Sequence, residues 1–237
     1  NRTNWGDLEW EISLMTDLGV KVHYNKEFGK DLTYDSLKKE GYEYFFFGVG
    51  FDKANAPLGN DIYMIPNVYN SKVFLPNVCE NTKKGMTENI NEKLFKLHGH
   101  VMVLGIGDTA LDCARSALRL GAKRVSVVFR RGFDDLRAND EIFDPSLYEG
   151  INFIPYSLPK EVVKDKNGLV TAVKFYQYQK NKNDQYETLK DEISEIKCDY
   201  LITAFGSEIS QKPILDLLAK DGKLSFDKNT NRSNLHK

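Results

Sequence analysis

A glycine-rich turn in the middle of the chain has the residue types that bind a dinucleotide pyrophosphate. Residues 105–110 have the sequence Gly-Ile-Gly-Asp-Thr-Ala, a G-x-G-x-x-A pattern. The first glycine permits a tight turn, the second lets the backbone approach the pyrophosphate, and the small last residue allows close helix–strand packing. The amide groups that open the following helix, near Thr109, attract phosphates. This turn predicts that Gly105, Gly107 and the helix start at Thr109 contact the pyrophosphate.

The segments around the turn are those that such a site requires. Residues 101–104 form a continuous apolar run, residues 110–118 place their apolar side chains on one helical face, and residues 125–129 form a second apolar run. A strand–helix–strand unit of this length implies a right-handed crossover and a parallel sheet. A glycine triplet alone is weak evidence, since it also occurs in turns without a ligand, and this context favours the nucleotide site.

The end of the second apolar run indicates which dinucleotide would bind. Enzymes that prefer NAD usually carry a carboxylate there for the ribose hydroxyls. This chain has Arg130 and Arg131, with Arg137 a little further on. Alone, two arginines at a strand end are better explained as solvated surface. Guanidinium groups form charge-assisted, often bidentate hydrogen bonds with phosphate, and the position of the pair relative to Gly105 favours a bound 2′-phosphate. We therefore predict NADP(H) as the cofactor.

A third segment, Ala204, Phe205 and Gly206, follows the last apolar run. A small residue and a glycine at a strand end can let a dinucleotide pass close to the backbone. The same residues could equally form a simple turn, and both interpretations remain open at this stage.

Periodicity predicts the other elements. Helices are expected over residues 8–18 and 33–40, with a shorter helical piece over 71–75 that ends before Pro76. Residues 51–70 are interpreted as a loop, and 179–185 as an exposed hairpin tip. Strands are expected over residues 20–22, 44–47, 151–154, 169–176 and 200–204, the second of them a buried parallel strand.

Composition excludes several classes of function. The net charge of the 237 residues is −1, which gives no indication of nucleic acid or of a membrane as a partner. No apolar run approaches the roughly 20 residues that cross a bilayer. The three scattered cysteines are typical of reduced, intracellular thiols and are too few for an iron–sulfur cluster. We predict no metal site and no catalytic side chain. We also expect the chain to begin inside a longer polypeptide, because it lacks an initiator methionine.

Several stretches resemble dihydropyrimidine dehydrogenase, and the resemblance covers nearly the whole chain. The stretch Phe-Arg-Arg-Gly-Phe at residues 129–133, with residues 136–138, is more particular to that family than the glycine turn, and argues against the related glutamate synthase small subunit. The other matching stretches are residues 14–21, 71–76, 101–117 and 204–207.

The resemblance implies an α/β fold, in which a Rossmann-like NADPH-binding domain with a parallel sheet is inserted in an incomplete FAD-binding domain. Residues 1–97 would form part of the FAD domain and residues 98–204 the NADPH domain. Residues 205–237 would return toward the FAD domain.

The resemblance also implies a chain of electron transfer. NADPH would reduce FAD, and iron–sulfur clusters and FMN elsewhere in a cytoplasmic, homodimeric parent enzyme would carry electrons to uracil or thymine. Arg2 and Phe28 would contact FAD. The residues implied to hold NADPH are Ile106, Gly107, Asp108, Thr109, Arg130, Arg131, Arg137, Ala204, Phe205 and Gly206.

This chain departs from the family pattern in ways that limit what it could do alone. It has no cluster cysteines, no barrel for FMN and no N-terminal flavin glycine motif. We therefore expect NADPH binding without pyrimidine reduction. Two alternatives remain: a glutamate-synthase-type NADPH–flavin module, and a non-catalytic nucleotide-binding fragment.

Overall fold

The computed structural model describes residues 5–82, 96–136, 138–220 and 223–233, and the chain divides into two compact units. One unit is built from Ala54–Gly206, and the other from Arg2–Lys53 together with Ser207–Lys237. The extents of the functional domains, residues 1–97, 98–204 and 205–237, remain predictions.

The first part of the discontinuous unit contains two helices, α1 (Trp5–Asp17) and α2 (Tyr34–Lys39), and leads to the short strand β1 (Lys53–Ala54). Both helices confirm their sequence predictions. α2 begins with a capping box, in which the Thr33 side chain accepts from the Ser36 N–H and the Ser36 hydroxyl accepts from the Thr33 N–H. This exchange satisfies two amide groups that a helix start would otherwise leave unpaired.

Two strands predicted for this unit are wrong. Residues 20–22 and 44–47 adopt no strand structure, and Tyr44 and Phe46 are 89% and 96% exposed. A buried parallel strand needs hydrogen-bonded neighbours, and within the described residues no strand pairs with either run. Apolar side chains alone therefore did not determine the conformation of these two runs.

The continuous unit is an α/β domain around a five-stranded parallel sheet of order β2-β9-β3-β4-β5. This architecture confirms the predicted fold class. Its strands are β2 (Val68–Asn70), β3 (His100–Leu104), β4 (Arg124–Val128), β5 (Asn152–Ile154) and β9 (Tyr200–Thr203). Its helices are α3 (Ser71–Thr82), α4 (Asp108–Arg119) and α5 (Asp140–Tyr148), with single 3₁₀ turns at Asp61–Met64 and Phe133–Asp135.

The central strand and the helix after it explain why the glycine turn has a rigid base. Every residue of β3 is buried, as expected for a parallel strand covered on both faces. The buried face of α4 is rich in small side chains, including Ala110, Ala114 and Ala117, which allow the helix to approach the sheet closely.

The prediction that a helical piece ends before Pro76 is wrong, because α3 continues to Thr82. A proline removes one helical hydrogen bond and restricts the residue before it. Here Phe74 and Val78, on either side of the proline, are both buried in the core, and the Asn70 side chain accepts from the Val73 N–H at 3.0 Å. The packing of these two apolar side chains outweighs the free-energy cost of a proline within the helix. The predicted loop over residues 51–70 likewise contains β1, a 3₁₀ turn and β2.

A three-stranded antiparallel sheet of β6 (Ser157–Lys164), β7 (Val170–Lys180) and β8 (Tyr186–Lys197) completes the unit. The predicted hairpin tip is confirmed: the Asn181 N–H donates to the Gln185 carbonyl oxygen at 2.8 Å, and Asp184 has a φ of 58°. β6 and β8 were not predicted, because β8 has many exposed charged residues and β6 contains a proline and three charged residues among its eight, so neither shows a clear apolar alternation.

The end of the chain returns to the discontinuous unit through β10 (Ser207–Glu208), α6 (Lys212–Leu218), β11 (Ala219–Lys220) and β12 (Lys223–Leu224). In the part of the chain that the structure describes, every helix is too short or too polar to cross a bilayer.

The account of α3 predicts that Phe74→Ala lowers the free energy of unfolding by about 3–5 kcal/mol, because it leaves a cavity in a closely packed core. Val73→Ala is the matched control, since Val73 lies on the same helix with its side chain half exposed. Urea unfolding followed by circular dichroism measures both. Equal losses in the two variants would contradict the packing argument.

Candidate nucleotide-binding site

The glycine turn, the arginine pair and the segment after the last apolar run were predicted separately from the sequence. In the structure they meet at one edge of the parallel sheet. In the register of the strands, Leu104 pairs with Val128 on one side and with Thr203 on the other. The Gly105 N–H donates to the Val128 carbonyl oxygen at 2.9 Å, and the Ala204 N–H donates to the Leu104 carbonyl oxygen at 2.8 Å. The strand ends are thereby aligned, and the segments after them are neighbours.

These segments enclose a cleft with a volume of about 620 Å³ in the continuous unit. The predicted contacts that line it are Gly105, Ile106, Gly107, Thr109, Arg130, Arg131, Ala204, Phe205 and Gly206. Their role in binding a cofactor stays a prediction, while their common location is a structural fact. The other residues that line the cleft were not predicted from the sequence, namely Asn55, Pro57, Leu58, Val128, Phe129, Asp135, Leu158 and Pro159.

The two glycines of the turn differ in their backbone conformation and in their surroundings. Gly105 has a φ of +122°, and a side chain there would overlap the Ala204 carbonyl oxygen. Gly107 has an extended backbone at the N-cap of α4, and a Cβ placed on it would meet no atom within 4 Å. Gly105 therefore serves the close contact of two strand ends, and Gly107 leaves open space in front of the helix.

The amino end of α4 faces that open space. The Ala110 and Leu111 amides both donate to the Gly107 carbonyl oxygen. The first amides of any helix have no partner within the helix and carry a partial positive charge. This arrangement can bind an anionic group such as a phosphate.

Asp108 does not line the cleft, although it lies within the turn. Its carboxylate accepts from the Asn139 N–H at 2.9 Å, and Asn139 caps α5 by accepting from the Glu141 N–H. A carboxylate in the first turn of a helix is also favoured by the helix dipole. In the structure Asp108 links the starts of α4 and α5.

The two arginines at the end of β4 differ in how they are held. Arg130 is exposed, whereas the guanidinium of Arg131 lies over the Tyr186 ring, 5.9 Å from its centroid. Asp135 lines the same cleft, and its carboxylate accepts a short hydrogen bond from the Tyr186 hydroxyl. That hydrogen bond, with the charges of Lys180 and Arg131, lowers the pKa of Asp135. The carboxylate stays ionised, and neighbouring positive groups offset its charge.

The segment 204–206 has no regular secondary structure and lines the cleft, and its contact with a dinucleotide stays a prediction. The Asn55 side chain donates to the Phe205 carbonyl oxygen at 3.4 Å, and the Asn55 N–H donates to the Gly206 carbonyl oxygen at 3.0 Å. The preceding residue, Thr203, shares a hydrogen bond of 2.8 Å with the Tyr63 hydroxyl. These contacts fix the backbone beside the glycine turn.

Besides Asp108, three further predicted contacts are not among the described residues that line this cleft. Arg2 and Arg137 lie outside the described residues. Phe28 belongs to the discontinuous unit, where it packs edge to face on Phe47 with ring centroids 5.5 Å apart. The structure does not test its predicted contact with FAD.

The cysteines are free thiols. Cys113 is buried on α4 and Cys198 just before β9, and burial raises the pKa of both thiols, that of Cys198 to about 12. Neither is therefore a reactive thiolate near neutral pH. Within the ranges described, no cluster of three or more His, Cys, Asp or Glu side chains could hold a metal ion.

The different roles of the glycines predict different effects of Gly105→Ala and Gly107→Ala. Gly105→Ala introduces a side chain at a positive φ and against backbone, so it should lower the free energy of unfolding by at least about 1–3 kcal/mol. Gly107→Ala has room for its methyl group and should cost less than about 1 kcal/mol. Thermal unfolding of the two variants checks this, and a larger loss for Gly107→Ala would refute the assignment.

Comparisons with known proteins agree with this geometry. The model of the family described as "Pyridine nucleotide-disulphide oxidoreductase" matches residues 100–182. The chain is 31% identical over 202 residues to the glutamate synthase [NADPH] small chain of Escherichia coli K12, which covers 81% of this chain and 42% of that protein. It is 32% identical over 212 residues to the putative oxidoreductase AegA and 29% identical over 204 residues to the putative oxidoreductase YgfK of the same organism. The match to AegA covers 86% of this chain and 31% of that protein, and the match to YgfK covers 85% of this chain and 18% of that protein.

The chain thus spans less than half the length of these relatives. The match to the glutamate synthase small chain also means that the stretch at residues 129–133 does not exclude a protein of that type.

Solved structures share the fold. Mycobacterium tuberculosis FprA in complex with NADPH aligns with a TM-score of 0.59 at 14% identity, covering 89% of this chain and 59% of that one. Lactococcus lactis thioredoxin reductase aligns with a TM-score of 0.53 at 22% identity, covering 78% and 52%. The family match and the parallel sheet with its glycine turn agree: residues 100–182 of this chain match the pyridine nucleotide-disulphide oxidoreductase family.

Proposed function

We propose that this chain is the NADPH-binding, electron-entry module of a flavin-dependent oxidoreductase. The observation that carries the proposal is that the glycine turn and the arginine pair line one cleft in a single compact unit. A pyrophosphate can lie against the helix start while a 2′-phosphate lies against guanidinium groups. The likeness to a protein named glutamate synthase [NADPH] small chain supports the same cofactor.

The residues present fit NADPH. The space in front of Gly107 and the positive end of the α4 dipole suit a pyrophosphate. Arg130 is exposed and lines the cleft, where its guanidinium could form charge-assisted hydrogen bonds with a 2′-phosphate, and Arg131 lines the cleft beside it. When bound, NADPH supplies a hydride. The roles proposed for this chain are to bind the dinucleotide, orient it along the sheet edge and distinguish it from NADH.

FAD is proposed as the hydride acceptor on the strength of the resemblance. Phe28 and Arg2 are the residues proposed to contact it. Iron–sulfur clusters, FMN, a homodimeric parent and its remaining domains are likewise proposals about a longer protein. The free cysteines support a reducing compartment, and we propose the cytoplasm.

For the reaction that the electrons serve, we propose the dihydropyrimidine dehydrogenase type, in which uracil or thymine is reduced. The support is the Phe-Arg-Arg-Gly-Phe stretch at residues 129–133. In the structure it holds both arginines and a buried glycine, Gly132, where a side chain would overlap the Tyr156 hydroxyl.

A second candidate is a glutamate-synthase-type module, favoured by the 31% identity over 202 residues. Uracil-dependent oxidation of NADPH by the full-length protein separates the two candidates. A full-length protein that oxidises NADPH at the same rate with and without uracil or thymine would contradict the first. A third candidate, a nucleotide-binding fragment without a redox partner, is contradicted if the full-length protein transfers electrons from NADPH to FAD.

The proposed function predicts that the chain binds NADPH more tightly than NADH, because only NADPH brings a phosphate to the arginine pair. Isothermal titration of each cofactor at fixed salt measures both affinities. A phosphate contact also predicts that the NADPH affinity falls as salt is raised, since exposed charges are screened. Equal affinities, or binding of neither cofactor, would contradict the proposal.

Arg130→Ala should weaken NADPH binding by about 1.5–3 kcal/mol, the value of a hydrogen bond to a charged group. NADH affinity should hardly change. Lys123→Ala is the matched control: it removes the same charge from an exposed position before the other end of β4. An equal loss for both cofactors in Arg130→Ala would show that Arg130 supports the fold instead of binding the phosphate.

A further inference from the structure

A tyrosine on the antiparallel sheet contacts the loop that carries the arginine pair. Tyr186 is the first residue of β8, more than 50 positions from that loop in sequence. Its hydroxyl accepts from the Gly132 N–H at 3.2 Å and donates a short hydrogen bond to the Asp135 carboxylate. One hydroxyl group thus joins both ends of the segment from Gly132 to Asp135.

The ring of Tyr186 is itself held in place. It stacks on the Tyr178 ring with centroids 5.1 Å apart and an angle of 2° between the planes. Two cations lie over the ring: the Arg131 guanidinium at 5.9 Å and the Lys180 ammonium at 5.4 Å from its centroid. A fixed aromatic face attracts cations electrostatically. The ring therefore restricts the directions in which the Arg131 side chain can extend.

The same contacts control the acidic group of the cleft. A carboxylate near a 2′-phosphate would repel it, and Asp135 lines the cleft. The Tyr186 hydroxyl and the Lys180 ammonium, 3.8 Å away, hold that carboxylate. Partial burial, with the hydrogen bond to Asp135, raises the pKa of Tyr186, so its hydroxyl remains a donor at neutral pH.

We propose that Tyr186 is a positioning residue for selection of the 2′-phosphate: it orients Arg131 through its ring and holds Asp135 through its hydroxyl. Tyr186 is not one of the described residues that line the cleft. It acts through Arg131 and Asp135, which do line it. This inference rests on the proposed function, because it concerns the same cleft and the same cofactor.

Tyr186→Phe tests the hydroxyl while keeping the ring. Both hydrogen bonds to the loop are lost, so the Asp135 carboxylate gains freedom within the cleft. We expect the NADPH affinity to fall roughly threefold to tenfold, the range for one net hydrogen bond, and the NADH affinity to stay within about twofold. Tyr178→Phe is the matched control, since it removes a hydroxyl from the stacked partner on the same hairpin and should change neither affinity.

The experiment measures the affinities of both cofactors for the unmodified chain and the two variants. A chain that shows no preference for NADPH overturns the proposed function. A chain that prefers NADPH and keeps the full preference after Tyr186→Phe overturns this inference alone. A parallel loss of both affinities in Tyr186→Phe also overturns it, because Tyr186 would then support only the fold. Loss confined to NADPH, with Tyr178→Phe unchanged, supports it.

Discussion

The alignment of three parallel strand ends is the constraint on which the candidate site depends. β3 lies between β4 and β9. The N–H of Gly105, the first residue after β3, donates to the carbonyl oxygen of Val128 at the end of β4. The N–H of Ala204, the first residue after β9, donates to the carbonyl oxygen of Leu104 at the end of β3. Each bond fixes the starting point of a loop. Because residues from three distant parts of the sequence begin at the same level, they can surround one dinucleotide. Gly105 is the point of closest approach, where no side chain fits beside Ala204.

Charge in the cleft follows from the same alignment. Arg130 and Arg131 directly follow Val128 and Phe129, and they therefore lie beside the glycine turn. Asp135 adds a negative charge to the cleft. Its carboxylate forms an ion pair with Lys180 and accepts a hydrogen bond from the Tyr186 hydroxyl. The antiparallel sheet thus does more than cover the parallel one, because residues of β7 and β8 determine how the charged loop is arranged.

The sequence predicted the central elements because their signals are local. The apolar run of β3, the glycine turn and the one-sided apolar face of α4 each specify their own conformation. Where the conformation of a segment depended on packing or pairing with residues distant in sequence, the local pattern was insufficient to predict it. Pro76 lies within a helix because Phe74 and Val78 are buried around it, and the aromatic run at residues 44–47 is no strand because no strand pairs with it among the described residues. The cleft wall shows the same limit, since neither Asn55 nor Leu158 lies in a recognisable motif.

The likeness of this chain to proteins of several different names has a physical explanation in the phosphate groups of the proposed cofactor. In proteins with a Rossmann-type fold, a pyrophosphate is bound by a glycine turn before a helix, and a 2′-phosphate by cations after the next strand. The electron acceptor imposes no demand on those positions. Proteins with different acceptors can therefore share this unit, and the family match falls on residues 100–182, where the glycine turn and the arginine pair lie. The matches to a glutamate synthase chain and to oxidoreductases of other names, at 29–32% identity, cover 81–86% of this chain and so extend beyond that unit. Direct evidence about the acceptor must therefore come from the residues that contact it, and the stretch at residues 129–133 bears on the acceptor only through its resemblance to dihydropyrimidine dehydrogenase.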